Sequence, residues 1–301
     1  MTRVLRPALA AALLALLLVG RSAAAPLRLA DERGHEVVLA APAMRIVALL
    51  PSLTETVCAL DACDRLLGTD RWSNWPPSVR ALPKVGGLED TQIERLVALR
   101  PDLVLAARSA RALDRLEALG VPVLALEPQD LVQLRQTIDT VARALGRADA
   151  GRRLVQRLDA SLAAALARVP ARLRGRSVYL EVASTPHAAG PTSYAGELLA
   201  RLGLVNIVPA ALGTFPQLNP EFVLRAEPDI VMATATAIAR MPDRPGWSSL
   251  AALRAGRVCG FEAEAWDTLV RPGPRLAEAA EAIVGCLEAI AQREAQRKEP
   301  R

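Results

Sequence analysis

The sequence predicts an α/β protein of two lobes, each with a mostly parallel central sheet, joined by one long rigid helix. Three observations carry that reading. Short, continuous apolar runs such as 45–50, 103–106 and 230–233 alternate with amphipathic stretches, the pattern of parallel strands buried on both faces between crossover helices. A segment from Asp149 to Val169 contains no Pro, and no Gly after Gly151, with Leu154, Leu158, Leu162 and Leu166 recurring at i, i+4. Such a stretch forms one amphipathic helix of about 20 residues, or ~30 Å. Finally, Glu94–Ala106 aligns without gaps on Glu221–Ala233, at an offset of 127 positions, with Glu, Pro, Asp, Val and Ala in register. That offset is too long for a solenoid and fits two similar lobes.

In chain order, residues 1–24 read as a cleavable signal peptide: Arg3 and Arg6, an apolar run from Ala8 to Gly20, then small residues at the cut. The run is shorter than the ~20 residues that span a bilayer. No Cys follows it, so no lipid anchor is expected, and no later stretch reaches 18 apolar residues. The first lobe covers 26–147. Leu27–Ala30 and Val37–Leu39 flank Asp31-Glu-Arg-Gly34-His35, a strand–turn–strand. Arg45–Leu50 is a buried strand ended by Pro51, after which Ser52 and Glu55 match the S-x-x-E capping box of a helix running to Leu60. Leu103–Ala106 is a strand, Ala110–Leu119 a helix stopped by Gly120, Val121–Leu126 a strand, and Asp130 caps a helix to about Leu145. The connecting helix occupies 148–170. The second lobe, 171–292, repeats the alternation: strand Ser177–Val182, helix Ala195–Leu202, strands Ile230–Ala233 and Arg257–Phe261, and a helix from about Pro274 to Ala291. Residues 293–301 read as a frayed, charged tail.

Composition excludes several classes. With 51% hydrophobic and 23% charged residues, the 301-residue chain has ample core and is neither disordered nor fibrous. The formal charge of +5 owes three arginines to the leader; without them, 34 bases face 32 acids. The remaining arginines are scattered among acids, which argues against nucleic acid. The two histidines are 152 positions apart and no C-x-x-C occurs, so no metal site is expected. Cys58, Cys63, Cys259 and Cys286 allow three pairings or none, and a local Cys58–Cys63 bridge is conceivable. G-x-S-x-G, H-E-x-x-H, P-loop and G-x-G-x-x-G motifs are absent, and the acidic pairs Glu89-Asp90 and Glu262/Glu264 suit caps and solvated loops better than a secreted hydrolase. The chain reads as a binding protein with no cofactor, not an enzyme.

The nine aromatic residues locate the site, because the core is built from Ala, Leu and Val. Trp72 and Trp75 lie in a loop after a strand–helix unit, Tyr194 opens a helix, Phe215 precedes Pro216, and Trp266 follows a strand. Rings held in loops make a surface that stacks on a flat ligand. Pro51 and Ser52 stand at the carboxyl end of a strand, where α/β folds bind ligands. Trp247 reads as lid or packing, Tyr179 as core, and His187 as a solvated rim residue that could otherwise ligate a metal centre of the ligand together with Tyr194.

Arg45-Ile-Val-Ala-Leu-Leu-Pro-Ser-Leu-Thr-Glu55, Gly68-Thr-Asp-Arg-Trp72-Ser-Asn-Trp75-Pro-Pro77, Val85-Gly-Gly87, Leu96–Val104 and Ala189-Gly-Pro-Thr-Ser193 before Glu197-Leu-Leu199 are the segments that identify the chain with a family. It resembles the periplasmic substrate-binding proteins of ABC importers whose lobes are linked by a single helix, and the Trp72–Pro77 loop is most similar to the vitamin B12-binding branch. The resemblance implies capture of a corrinoid in the cleft, with a ferric siderophore or haem as the alternative cargo. It implies ligand contacts at Pro51, Ser52, Trp72, Trp75, Tyr194, Phe215 and Trp266, with Leu88 and Ala107 where the B12 binders place Trp. It also implies a monomer that docks on an inner-membrane permease dimer through Glu94 and Glu221, which hold the same place in the two copies of the repeat.

Overall fold

The computed structural model describes residues 25–183 and 186–297; the signal-peptide expectation for 1–24 lies outside the described residues. The chain opens with the antiparallel hairpin β1 (Leu27–Ala30) and β2 (Glu36–Leu39), Leu27 opposite Leu39. Then follow β3 (Ile46–Ala48), α1 (Pro51–Ala59), β4 (Leu66–Thr69), α2 (Ile93–Ala98), β5 (Leu103–Ala106), α3 (Leu113–Ala118), β6 (Val123–Ala125) and α4 (Leu131–Ala144). The four strands after the hairpin form a parallel sheet ordered β4-β3-β5-β6, its middle strands fully buried. Asp130 caps α4, its carboxylate accepting from Gln133 N at 2.7 Å.

The long helix α5 (Ala148–Arg168) follows, burying Leu154, Leu158, Leu162 and Ala165. It is flanked by α4, through Arg135–Asp159 at 2.5 Å, and by the last helix, through Arg168–Glu288 at 3.0 Å. Beyond it come β7 (Ser177–Ala183), β8 (His187–Ala188), α6 (Tyr194–Arg201), β9 (Val205–Asn206), α7 (Pro220–Ala226), β10 (Ile230–Thr234), α8 (Ala235–Arg240), α9 (Ala251–Arg254), β11 (Val258–Phe261), α10 (Ala263–Val270) and α11 (Leu276–Gln296). The second sheet runs β11-β10-β7-β8, with β9 also on β7; the short β8 is antiparallel and the rest parallel. Among the described residues no helix is long and apolar enough to cross a membrane.

The sequence repeat is a structural repeat. Each copy is a short helix followed by a central strand, α2–β5 and α7–β10. Arg100 and Glu227, one residue before each Pro, both take a left-handed conformation (φ 50° and 41°). Asp102 then accepts from the N–H groups of Met44 and Arg45, both at 2.9 Å, and Asp229 from the N–H and hydroxyl of Ser177, both at 3.0 Å. In each lobe this aspartate fastens the start of the neighbouring strand.

Two expectations need correction, and one question that the sequence left open is answered. Ser52 does not cap α1: Leu50 is the N-cap, Pro51 the first helical residue, and Glu55 turns away from the helix N-terminus to an arginine of the other lobe. The last helix runs five residues beyond Ala291, to Gln296, and is not frayed from 293, because Arg293 and Arg297 donate to the carbonyls of Gly256 and Ala255 at 3.2 and 3.0 Å. Residues 298–301 lie outside the described residues. All four cysteines are paired, Cys58 with Cys63 and Cys259 with Cys286, the latter tying β11 to α11.

Candidate functional site

Each lobe carries a concavity at the carboxyl ends of its central strands, where loops must leave the sheet and backbone groups are free to face a ligand. On the N-terminal side the chain turns from β3 through Leu49-Leu50-Pro51 into α1, and from β4 into Asp70-Arg71-Trp72. These turns, with Leu88, line a concavity of about 420 Å³. Asp70 is buried and holds the loop from beneath, accepting from Trp72 N at 2.7 Å and from the Ser73 hydroxyl. Burial pushes its carboxyl above the usual range, opposed by these hydrogen bonds and by Lys84 and Arg271. The Trp72 backbone is therefore anchored while the residue as a whole stands 68% exposed. Arg71 is ion-paired to Asp90 at the same wall, and Arg111 to Glu89 at 2.5 Å.

The second lobe carries a smaller concavity at its own strand ends. Glu181, Val182 and Ala183 at the end of β7, Thr234 at the end of β10, Ala237 of α8 and Trp266 of α10 enclose about 170 Å³. Trp266 stacks beside Phe261 with ring planes 30° apart and centroids 6.5 Å apart. Glu181 is buried and clamped, accepting from Arg244 at 2.6 and 2.7 Å and from the Tyr179 hydroxyl at 2.9 Å. Burial and this carboxylate push the Tyr179 hydroxyl upward, so it stays protonated.

The lobes themselves are joined by polar groups. Arg271, just after α10, donates to Glu55 at 2.9 Å and to the Asn74 side-chain oxygen at 2.8 Å, and pairs with Asp267 at 2.7 Å. Asn74 in turn donates to Asp267 at 3.0 Å. The Arg275 guanidinium sits 4.4 Å over the Trp75 ring. Burial pushes the Glu55 carboxyl above its usual range, against the pull of Arg271 and Arg275. Gly273 approaches so closely that a side chain there would touch Ser52 at 3.4 Å. Across the other side of the interface, Tyr194 N donates to the Gln129 carbonyl at 2.6 Å and Leu131 N to Glu197 at 3.0 Å.

The structure gathers Pro51, Trp72 and Leu88 in one concavity of the first lobe and places Trp266 in a separate one of the second. Trp75 lies half-buried beneath Arg275, and Ser52 is buried in the lobe contact. Tyr194 does not present its hydroxyl to the cleft: it is 5% exposed, belongs to the core, and its ring meets the half-buried Phe215 at 5.8 Å. Trp247 is fully buried beside Tyr179. Glu94 and Glu221 stand exposed in the first turns of α2 and α7. Two larger concavities, of about 540 and 470 Å³, involve the β1–β2 hairpin with α4 and α3, and share no residue with the cleft.

Sequence reasoning missed Arg271, Glu181 and Arg244. Glu181 carried a signal, a carboxylate inside the otherwise apolar strand 177–183. Arg271 carried none beyond its neighbours Pro272-Gly273-Pro274.

Two parallel-sheet lobes on one long helix, with a ring-bearing cleft at the strand ends, define a two-lobed solute-binding protein. The chain belongs to the periplasmic binding protein family, whose profile matches residues 46–265. A relative, the uncharacterized ABC transporter substrate-binding lipoprotein YvrC of Bacillus subtilis (strain 168), is 27% identical over 269 residues, covering 86% of this chain and 84% of its own. The vitamin B12-binding protein of Yersinia pestis (strain Pestoides F) is 26% identical over 198 residues, 64% of this chain and 70% of its own. Among solved structures, the periplasmic heme-binding protein RhuT from Roseiflexus sp. RS-1 superposes with TM-score 0.72 at 26% identity, covering 82% of this chain and 99% of that one. The vitamin B12 binding protein BtuF of Vibrio cholerae does so with TM-score 0.70 at 23% identity, covering 83% and 99%. This is therefore an ABC-type substrate-binding protein, one of a class that takes a small ligand and works with a membrane permease.

Proposed function

We propose that the protein captures a corrinoid, vitamin B12 or a precursor, between its lobes and delivers it unchanged to an ABC importer from the periplasm, which it reaches through the cleavable leader at 1–24. The observation that carries this reading is an indole at the strand ends of each lobe: Trp72, 68% exposed over an anchored loop beside one concavity, and Trp266 lining another in the second lobe. A large ring at the strand ends of each lobe suits a flat, broad macrocycle, which gains most of its affinity from buried aromatic area. The B12-binding relative supports the same ligand class.

Delivery needs a face that the permease reads. The two copies of the repeat carry Glu94 and Glu221 at equivalent, exposed positions, one per lobe, and a two-fold permease dimer takes a matched pair of charges. Complementary charges of this kind set partner choice and association rate. Haem or a ferric siderophore is the second reading, favoured by the similarity to RhuT at 26% identity. Titrating the purified protein with cyanocobalamin, dicyanocobinamide, haemin and a ferric hydroxamate separates the two. Corrinoid binding supports the first reading, and binding of haemin or the hydroxamate alone supports the second.

A further inference from the structure

The lobes share a second repeat, and it lies at the contact between them. Thr54-Glu-Thr-Val-Cys-Ala-Leu60 of α1 and Gly196-Glu-Leu-Leu-Ala-Arg-Leu202 of α6 match at an offset of 142 positions. The backbone keeps that register. Leu60 and Leu202 cap the ends of their helices, and Asp61 and Gly203 behind them are both left-handed, with φ of 57° and 75°. The residues after those close the same bond, Ala62 N to the Val57 carbonyl at 3.2 Å and Leu204 N to the Leu199 carbonyl at 3.0 Å. Ser52 is thereby equivalent to Tyr194, and Glu55 to Glu197.

All four of these residues meet the opposite lobe, and at equivalent places. Glu55 accepts from Arg271 at 2.9 Å, and Gly273 lies so near Ser52 that a side chain on it would touch at 3.4 Å; both partners stand just before α11. Glu197 accepts from Leu131 N at 3.0 Å, and Tyr194 N donates to the Gln129 carbonyl at 2.6 Å, at the start of α4. The first helix of each lobe thus grips the entry to the last helix of the other, once in each direction. The two grips differ in chemistry. Glu55 is 1% exposed and faces guanidinium groups, Arg271 and, at 3.8 Å, Arg275. Glu197 is half-buried and faces a helix N-terminus, whose free N–H groups and dipole favour a carboxylate.

A single contact beside the connecting helix would leave a pivot about which the lobes could rock, whereas two separate contacts resist that motion. We propose that Glu55 and Glu197 are a matched pair of positioning residues. Together they set the spacing of the lobes, and with it the distance between the concavity that holds Trp72 and the one that holds Trp266. The assignment is independent of which small ligand the lobes take.

Double electron–electron resonance reads this spacing in the unliganded protein. Nitroxides are attached at Arg115→Cys in the first lobe and Arg254→Cys in the second, both exposed positions; the native cysteines are all paired and take no label. Far-UV circular dichroism and thermal melts confirm folding. Glu197→Ala and Glu55→Ala should each broaden the distance distribution and shift its mean by about 2 Å or more, and the two together should shift it further. Glu197→Gln should keep the wild-type distribution, because its amide oxygen still accepts from Leu131 N. Asp229→Asn, which loosens a strand inside the second lobe away from this contact, should keep it as well. If Glu55→Ala does not fold, the half-buried Glu197 decides alone. A folded Glu197→Ala with wild-type spacing, or an Asp229→Asn that shifts the spacing as far, overturns the assignment.

Discussion

Arg271 and Glu55, 216 residues apart and in opposite lobes, meet at 2.9 Å with side chains only 9% and 1% exposed. A contact this dry adds a buried connection between lobes that the long helix α5 already links. Removing one partner of such a pair strands a buried charge, which costs far more than the pair contributes in sum. Arg271→Met should therefore lower unfolding stability by about 3–5 kcal/mol, and Glu55→Leu in the same chain should restore much of it. Urea unfolding of the two variants checks this, and a single variant as stable as the wild type would show that the contact does not hold the lobes.

The aspartate of the second repeat copy gives a pH signature. Burial alone would raise the Asp229 carboxyl, but the N–H and hydroxyl of Ser177 and the Arg176 guanidinium hold it below the ordinary aspartate range. A depressed value means that its contribution is present above the unfolded aspartate value of ~3.9 and is lost as pH falls through the lower folded value. Asp229→Asn should cost about 1 kcal/mol at neutral pH, given its partial exposure, and the gap to wild type should close below about pH 3. A gap that stays constant across that range would assign the effect to shape instead of charge.

The two disulfides should differ in weight. The Cys259–Cys286 bridge closes a separation of 27 residues and Cys58–Cys63 one of 5. Since the constraint on the unfolded chain grows with loop length, replacing the first pair by Ala should cost ~3–4 kcal/mol and the second ~2. Thermal melts of the two double variants test the order, and the reverse order would contradict it.

Reversing both Glu94 and Glu221 to Arg should leave folding and ligand affinity nearly unchanged, because exposed charges contribute only ~0–1 kcal/mol. Uptake through the cognate importer should fall sharply. Transport at the wild-type rate would refute the docking role.

Local chemistry explains what was legible in the chain. β5, at Leu103–Ala106, was readable to the residue because a parallel strand buried on both faces is a continuous apolar run ended by polar neighbours. Asp130 announced α4 because a side-chain cap acts within three residues. The Glu94 and Glu221 copies were visible because an aspartate after Pro does the same work in both lobes. What escaped was long-range. Glu55 looked like half of a capping box, and only the fold brings Arg271 to it as a better partner than the helix end. Tyr194 reads as a ligand contact where a helix opens, but that helix turns it into the core against Phe215. The Arg244 clamp on Glu181 spans 63 residues and leaves no local pattern.

Trp72 tests the central claim most directly, because its ring is largely free of the protein and should be buried by the ligand. Calorimetric titration of cyanocobalamin into the wild type should show one saturating site. Trp72→Ala should weaken it by about 1–3 kcal/mol, roughly 5- to 150-fold, with the thermal midpoint of the unliganded protein unmoved. Absence of binding by the wild type to both cyanocobalamin and dicyanocobinamide would contradict the assignment of this cleft to a corrinoid.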